Sequence, residues 1–371
     1  MLRALRLFTL TAAPVMAAAC AGELPEPGAL PDTLVDGRGS GDGGHLLGIQ
    51  AWMQKSDYAT SERFEGRLRG FLDNADAEGL IDERTVVVLP EYVGTWLVTV
   101  DEGPGVYDKA TIGEAMTDLA MAHLGAFLLA SWTAPATDGD AFAAFTVKAE
   151  QKAKAYDRAM SNLARDFGVT LVGGSLIVPN PTIVDGRLHV TPGDPLSNAS
   201  VVYDSTGAVV AISEKVFPTA DETSFVEPAA IEEIAVVDTP AGRLGVLVCA
   251  DSWFPASYER LVAEGAEILA VPTFHSQEGI WEKPWGGYSG QEAPADVDLA
   301  DIGALTENEA WEKYSVPTRA AAAGMRAAIT APLRGDLWDL GDDGQGFLLD
   351  VDGFQRGPLA DAPALLSLRI P

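Results

Sequence analysis

The sequence predicts an α/β fold with a mixed β-sheet, and three observations lead to this prediction. Short apolar runs alternate with amphipathic helical patterns from residue 46 onward. Two of these runs flank Asp204-Ser205-Thr206-Gly207, a turn sequence that predicts an antiparallel hairpin beside the helix-linked strands. With 47% hydrophobic and 21% charged residues, the chain of 371 residues can bury a sizeable core.

Individual elements follow from the period of the apolar residues and from the turn residues between them. Strands are predicted where short β-branched or apolar runs occur, at 46–53, 85–89, 169–178, 200–203, 208–213, 244–248, 268–271, 325–330 and 346–351. Helices are predicted where the pattern is helical, at 60–76, 148–167, 255–264 and 311–323. Gly168 stands where the second helix would stop.

Two stretches do not follow this alternation. Residues 99–140 include a helical segment but several turn signals, and their apolar part, 119–132, is interrupted by His123 and Gly125 and is expected to be core. Residues 276–308 are long, acidic and irregular, and their aromatic content favours a packed lid over a disordered loop. After the N-terminus, no stretch reaches the roughly 18 apolar residues that a membrane helix needs.

The first 45 residues are predicted to lie outside the folded domain. A basic start and an apolar run over residues 1–20 have the layout of a secretory signal, which indicates an exported protein, periplasmic or anchored to a bacterial membrane. Cys20 directly follows small residues, as in a bacterial lipobox, so we expect its lipidation. Ala17 stands where lipoboxes usually carry leucine, and plain cleavage after an Ala-x-Ala site is the alternative. Residues 21–45 are predicted to be a Gly/Pro-rich linker, and 46–371 the folded domain.

Charge and histidine placement exclude several function classes. The formal net charge of −29 repels nucleic acid and anionic lipid, so membrane contact is expected only through an N-terminal lipid. The four histidines are scattered and form no HExxH motif, and there is no paired-cysteine spacing, so we predict no metal and no cofactor. The sequence around the second cysteine, Cys249, also lacks the signature of papain-type cysteine proteases.

Three apolar strands run directly into a reactive residue. Val86-Val87-Val88-Leu89-Pro90 leads to Glu91, the strand over 209–214 leads to Lys215, and 244–248 leads to Cys249. Side chains at the carboxyl ends of strands converge in open α/β sheets, so folding could bring these three together. Each residue alone also has a purely structural explanation: Glu91 as a solvated strand end, Lys215 as a surface lysine and Cys249 as a small buried hydrophobic residue.

The ordered combination resembles the nitrilase, or carbon–nitrogen hydrolase, superfamily over about residues 46–352. The resemblance lies in Val88-Leu89-Pro90-Glu91, in 198–207 leading to Glu214-Lys215, and in Gly245-Val246-Leu247-Val248-Cys249-Ala250-Asp251. It implies a four-layer α-β-β-α sandwich with mixed sheets, and members that usually pair into dimers, so we expect a homodimer or larger homo-oligomer.

The resemblance also implies roles for particular residues. Cys249 would be the nucleophile, Glu91 the general base, and Lys215 with the backbone N–H of Ala250 would stabilise the developing oxyanion. Glu222 is the candidate for a second, orienting glutamate, with Glu227 as the alternative. Tyr92, Trp253 and Phe274 are predicted to line the substrate pocket.

Within the superfamily, the residues after the nucleophile favour an amide substrate. Nitrilases proper usually have Cys-Trp-Glu, whereas this chain has Cys249-Ala250-Asp251. The sequence therefore predicts hydrolysis of a non-peptide C–N bond in a small or medium amide, through a cysteine thioester. The alternatives are an N-acyltransferase using the same thioester, nitrile hydrolysis, and a non-catalytic binding lipoprotein on the same fold.

Overall fold

The computed structural model describes residues 23–28, 32–341 and 343–371. The predicted signal segment and its Cys20 lie outside these residues. The described strands are β1 (Leu34–Arg38), β2 (His45–Gln50), β3 (Trp52–Gln54), β4 (Thr85–Val88), β5 (Thr170–Val172), β6 (Leu176–Pro179), β7 (Thr182–Val184), β8 (Arg187–His189), β9 (Leu196–Tyr203), β10 (Val209–Glu214), β11 (Val236–Thr239), β12 (Gly242–Val246), β13 (Ile268–Thr273), β14 (Ala327–Pro332), β15 (Arg334–Asp336), β16 (Phe347–Asp350), β17 (Gly353–Arg356) and β18 (Ala364–Arg369). The described α-helices are α1 (Ser61–Ala77), α2 (Ile112–Ala122), α3 (Leu124–Thr133), α4 (Gly139–Thr146), α5 (Ala149–Phe167), α6 (Pro255–Ala263), α7 (Glu307–Tyr314) and α8 (Val316–Ala322).

Two mixed sheets form the centre of the molecule. The first has the strand order β1-β18-β2-β4-β5-β9-β10, with β6 also paired to β9, and the second has the order β11-β12-β13-β14-β16-β17. In the first sheet β2, β4 and β5 are parallel, whereas β9 and β10 form the predicted antiparallel hairpin. In the second sheet β12, β13 and β14 are parallel and β16 is antiparallel to β14.

The sheets pack face to face, and each carries helices on its outer face. Alternate residues of β4 show the arrangement, because Val86 and Val88 pack between the sheets while Val87 packs in the cluster that holds α1 and α5. On the other side, α6 and α8 pack on the second sheet through Leu261 and Val316. The four-layer α-β-β-α prediction is confirmed, and burial of both faces explains why the central strands are continuous apolar runs.

Several predicted elements differ from the structure, among them the strand over 46–53, which is two strands, β2 and β3, in different sheets. Within the predicted linker, residues 34–38 form β1, which pairs in parallel with β18, so this segment belongs to the sheet. The strand predicted over 169–178 is two strands, β5 and β6, separated at Gly173-Gly174-Ser175. The helix predicted over 311–323 is interrupted at Ser315, because Pro317 lacks the N–H and clashes with the preceding turn.

The expectation that the apolar stretch 119–132 is core was wrong for its second half. Leu119 is buried on α2, but Leu129 and Trp132 on α3 are 61% and 87% exposed. The chain bends by 104° between α2 and α3, and α3 buries only Phe127, so its outer face turns away from the molecule. Among the described residues no single helix is long and apolar enough to cross a membrane, although this bent pair together has the length and composition.

Candidate active site

The three strand ends identified in the sequence meet at one buried point. Glu91 follows β4 after two residues, Lys215 follows β10 directly, and Cys249 follows β12 after two residues. All three side chains are almost inaccessible to solvent. Since β4 and β10 belong to the first sheet and β12 to the second, the site lies where both sheets end.

Glycine and serine in the break between β5 and β6 hold the chain around Glu91. Gly174 has a positive φ of 70°, and a Cβ at this position would lie 2.1 Å from the Pro90 carbonyl oxygen. The Ser175 hydroxyl accepts a hydrogen bond from the Tyr92 N–H at 2.9 Å. The break therefore lets the β5–β6 connection pass close against the segment that presents Glu91.

Lys215 is held between two carboxylates. Its Nζ donates to Glu91 Oε1 at 2.8 Å and to Glu222 Oε2 at 2.7 Å. Glu222 also accepts hydrogen bonds from the Thr219 N–H at 2.8 Å and from the Tyr92 hydroxyl. Of the two glutamates considered as the orienting partner, Glu222 is therefore the one in contact with the lysine, whereas Glu227 is exposed.

Asn198 joins the same two carboxylates from the strand side. Its Nδ2 donates to Glu91 Oε1 and to Glu222 Oε1, each at 2.9 Å. Asn198 lies in the segment 198–207 that carries part of the family resemblance, but its contact with both carboxylates was not predicted from the sequence. The available signal was an amide side chain within the fully buried strand β9, because buried polar groups are placed where they have partners.

Cys249 stands on a constrained turn next to this cluster. Its backbone has a φ of 45°, in the left-handed region that costs non-glycine residues energy and that is found most often at functional sites. The thiol lies 4.0 Å from the Phe274 carbonyl oxygen, and Glu91 is near enough for its charge to affect the thiol pKa. Asp251 braces the turn, since its Oδ1 accepts from the N–H groups of Val216 and Phe217 at 3.0 and 2.8 Å.

Burial and charge set the protonation of the site. Burial raises the pKa of the Cys249 thiol well above its ordinary value, and the Glu91 charge adds to this effect. Burial also raises the pKa of Glu91, although Lys215 opposes the shift. Burial opposes the charge on Lys215, but Glu222 and Glu91 outweigh it and hold the lysine pKa well above its ordinary value. The resting site therefore holds a neutral thiol beside a carboxylate whose basicity is increased.

The remaining predicted residues lie around the thiol. Ala250 is the second residue of the short 3₁₀ helix Cys249–Trp253, where backbone N–H groups lack partners within the helix. Tyr92 and Phe274 pack edge to face, 5.7 Å apart, and both line a cavity of about 220 Å³ that reaches Glu91, Lys215 and Cys249. Trp253 does not line this cavity but a second one of about 150 Å³, which also reaches Cys249.

The segment predicted as a lid packs over the second cavity. Trp285 stacks on Trp253 with ring centroids 5.7 Å apart, and Tyr288 contacts Trp253 edge to face at 5.6 Å.

Within residues 23–28, 32–341 and 343–371, no group of three or more His, Cys, Asp or Glu side chains is arranged to hold a metal ion.

The geometry can be compared with that of known proteins. The family described as carbon-nitrogen hydrolase matches residues 85–291, more than half of the chain. Deaminated glutathione amidase of Yersinia enterocolitica is 32% identical over 133 residues, which are 32% of this chain and 43% of that protein. Chloroplastic omega-amidase of Arabidopsis thaliana is 26% identical over 153 residues, 39% of this chain and 38% of that protein. The matched segments thus span less than half of these curated relatives.

Solved structures match over a larger part of the chain. The crystal structure of an amidase from Nesterenkonia sp. has a TM-score of 0.56 and 16% sequence identity, and the match covers 90% of this chain and 92% of that one. A mutant of the amidase from Nesterenkonia sp. AN1, with the acetamide moiety of fluoroacetamide added covalently at its active-site cysteine, has a TM-score of 0.56 and 17% identity over 93% of this chain and 94% of that one. At such low identity these matches show a shared fold.

Proposed function

Because this chain belongs to the carbon–nitrogen hydrolase family, we propose that it hydrolyses the C–N bond of a small or medium amide with Glu91, Lys215 and Cys249. One observation carries the proposal: a thiol, a carboxylate and an ammonium group from three distant strand ends share one buried site beside a cavity. The names of the matched relatives, all amidases in the cases given above, support an amide substrate.

In the first step, Glu91 accepts the thiol proton as the sulfur attacks the carbonyl carbon. The raised pKa of Glu91 favours this transfer, and Lys215 remains charged because two carboxylates surround it. The carbonyl oxygen becomes an oxyanion, which the Lys215 ammonium and the Ala250 N–H stabilise. A single donor of this kind contributes about 2.7–4 kcal/mol of transition-state stabilisation.

In the second step, the C–N bond breaks and Glu91 returns its proton to the departing nitrogen, which leaves an acyl thioester on Cys249. Glu91 then takes a proton from water while the water oxygen attacks the thioester carbonyl. The C–S bond breaks, Glu91 gives the proton it took from water to the Cys249 sulfur, and the acid product leaves. Glu222, Asn198 and Thr219 hold Lys215 and Glu91 in place but exchange no proton in this scheme.

The test uses the full chain, a panel of neutral primary amides and the Cys249→Ala variant as its control. Ammonia release is measured together with the intact mass of acid-quenched protein. We expect ammonia from at least one amide and an acyl adduct on Cys249, and neither with the variant. Adding hydroxylamine or alkylamines separates hydrolysis from acyl transfer, because a transferase would form amide products in preference to the acid. Absence of both ammonia and adduct across the panel would refute the proposal.

We also propose that the protein is exported and lipidated at Cys20. The support is the sequence alone, a basic start and an apolar run that ends in small residues before Cys20. Expression with labelled palmitate should give a labelled protein in the membrane fraction, and Cys20→Ser should release it. Label incorporation that is unchanged in Cys20→Ser would contradict the proposal.

A further inference from the structure

We infer that the acyl group of the substrate is apolar, uncharged and of medium size, and that helices α2 and α4 select it. This inference rests on the proposed function, since it names the substrate class of the same site. Its basis is the wall of the 220 Å³ cavity that reaches Cys249. Away from the catalytic groups, most of this wall consists of apolar side chains that are almost completely buried in the absence of substrate. Polar side chains also line the cavity: Thr95 is buried in the wall, and Thr219, Ser276, Gln277 and Ser289 are partly or fully exposed.

The wall is built largely by the helical region between β4 and β5. Ile112 and Met116 come from α2, and Ala144 and Phe145 come from α4. Phe225 closes the same side by stacking on Phe145, with ring centroids 5.4 Å apart and planes 17° apart. Such a surface gains free energy when it covers hydrocarbon and offers no hydrogen bond to a polar substituent.

The charges that line the cavity are confined to its catalytic end and its rim. Glu91, Lys215 and Glu222 are paired with one another, and Asp221 is exposed to solvent. Lys215 is the one cation among the lining residues, and both nearby carboxylates already contact it. A carboxylate on the far end of the acyl group would therefore enter an apolar region without a counter-ion, which is strongly unfavourable.

The same argument assigns this cavity to the acyl group and not to the leaving amine. An aliphatic amine is protonated at neutral pH once released, and an ammonium ion is costly to hold among apolar side chains. The acyl group, in contrast, stays attached to Cys249 until water attacks, so it can occupy the apolar part of the cavity throughout the reaction. The second cavity also reaches Cys249 and includes Glu307 in its lining, which suits a departing cationic amine.

The cavity size sets the expected length of the acyl chain. An apolar cavity of about 150 Å³ is large enough to hold benzene. At about 220 Å³, this one has room for a hexanoyl or phenylacetyl group next to the reacting carbonyl. Branched or longer groups would have to displace wall residues, which close packing resists.

The experiment measures kcat/KM for straight-chain primary amides from acetamide to decanamide. We expect a rise of about fourfold per added methylene up to about six carbons, which corresponds to about 0.8 kcal/mol per buried CH₂, and then a plateau or decline. Hexanamide should exceed its analogue with a terminal carboxylate by more than about tenfold. N-alkylacetamides of increasing alkyl length should show no comparable rise. The inference would be overturned if kcat/KM for the primary amides stayed constant or fell with chain length, or if kcat/KM rose only for the N-alkylacetamides.

Two cavity variants and a matched control test whether the wall formed by α2 and α4 selects the length of the acyl chain. Ala144→Leu fills part of the cavity and should lower the ratio of kcat/KM for hexanamide to that for acetamide by about tenfold or more. Met116→Ala enlarges it and should move the optimum to longer chains. Ala126→Leu places the same larger side chain on the exposed face of α3 and should change neither. If the two cavity variants hydrolyse acetamide but keep the chain-length preference of the wild type, this inference alone is refuted. If the wild type hydrolyses no amide at all, the proposed function is refuted.

Discussion

Lys215 Nζ lies 2.8 Å from Glu91 Oε1, although 124 residues separate the two positions in the sequence. Each side chain is 2% exposed, so the ion pair forms without solvent. Removing two charges from water is costly, and such a pair is weak support for stability. We therefore interpret the contact as serving the chemistry of Cys249, and the variants below separate that role from folding.

Glu91→Gln should remove the general base and lower kcat/KM by about 10²–10⁴-fold. In the wild type, kcat/KM should fall as the pH drops through the pKa of Glu91, because the protonated carboxyl cannot accept the thiol proton. Since burial raises that pKa, the midpoint should lie above the ordinary glutamate value of 4.5. pH–rate profiles of both proteins check this, and a wild-type rate in Glu91→Gln would contradict the assigned role.

Lys215→Met should abolish measurable turnover and lower the free energy of unfolding by about 3–5 kcal/mol, because it leaves buried carboxylates without their counter-charge. Without the lysine, the folded-state pKa values of Glu91 and Glu222 would lie above their unfolded values. The loss in stability should therefore be larger at pH 8 than at pH 5.

Urea denaturation at the two pH values measures this effect. Lys154→Met is the matched control, since the Lys154 side chain is 80% exposed, and should change the free energy of unfolding by less than about 0.5 kcal/mol. If Lys215→Met and Lys154→Met lowered the free energy of unfolding equally, the buried position of Lys215 between two carboxylates would not matter for stability.

Asn198→Ala should lower kcat by about tenfold to a hundredfold, because a hydrogen bond to a charged group is worth about 1.5–3 kcal/mol. The amide donates to the carboxylate form of Glu91, so its removal should raise the pKa of Glu91 and move the acid limb of the rate profile to higher pH. Asn162→Ala, which removes an amide from the surface of α5, should leave the limb unchanged. A lower rate without movement of the limb would indicate a packing defect only.

His275→Phe should make the protein less sensitive to acid. Burial lowers the pKa of His275 to about 4, and its ring packs against Trp281 and Trp311 at 4.9 Å. Below pH 6.5 the unfolded chain takes up a proton that the folded chain does not, so stability from this group falls as the pH drops toward 4. Between pH 7.5 and 5.0 the wild type should lose up to about 2 kcal/mol more than the variant.

Denaturation curves at these two pH values provide the measurement, with exposed His189→Phe as the control. The phenyl ring keeps the shape of the imidazole, so the variant should fold at pH 7.5. A pH dependence identical to that of the wild type would exclude His275 as a source of acid sensitivity.

Much of the architecture was predictable because it depends on local patterns. The continuous apolar run before Glu91 identifies a strand buried on both faces, and the 198–214 region identifies a hairpin. The residues at the three strand ends were identifiable because each directly follows such a run. Element ends were less predictable, as at Ser315, where a proline two residues later interrupts the helix.

Other features of the site depend on contacts that no local pattern shows. The approach of Asn198 to Glu91, the preference for Glu222 over Glu227, and the use of α2 and α4 as a cavity wall all join segments far apart in the chain. The exposure of α3 could not be predicted either, since an apolar run does not reveal whether a neighbouring element covers it.

The sequence by itself determined the order of strands and helices, the mixed α/β class and the identity of the three side chains at the strand ends, because apolar period and residue type are properties of the local chain. Only the tertiary structure decided which carboxylates surround Lys215, how far burial raises the pKa of Glu91 and Cys249, and which side chains enclose the cavity. Distance and solvent exclusion determine these properties, and both arise only when the two sheets and their helices have packed together.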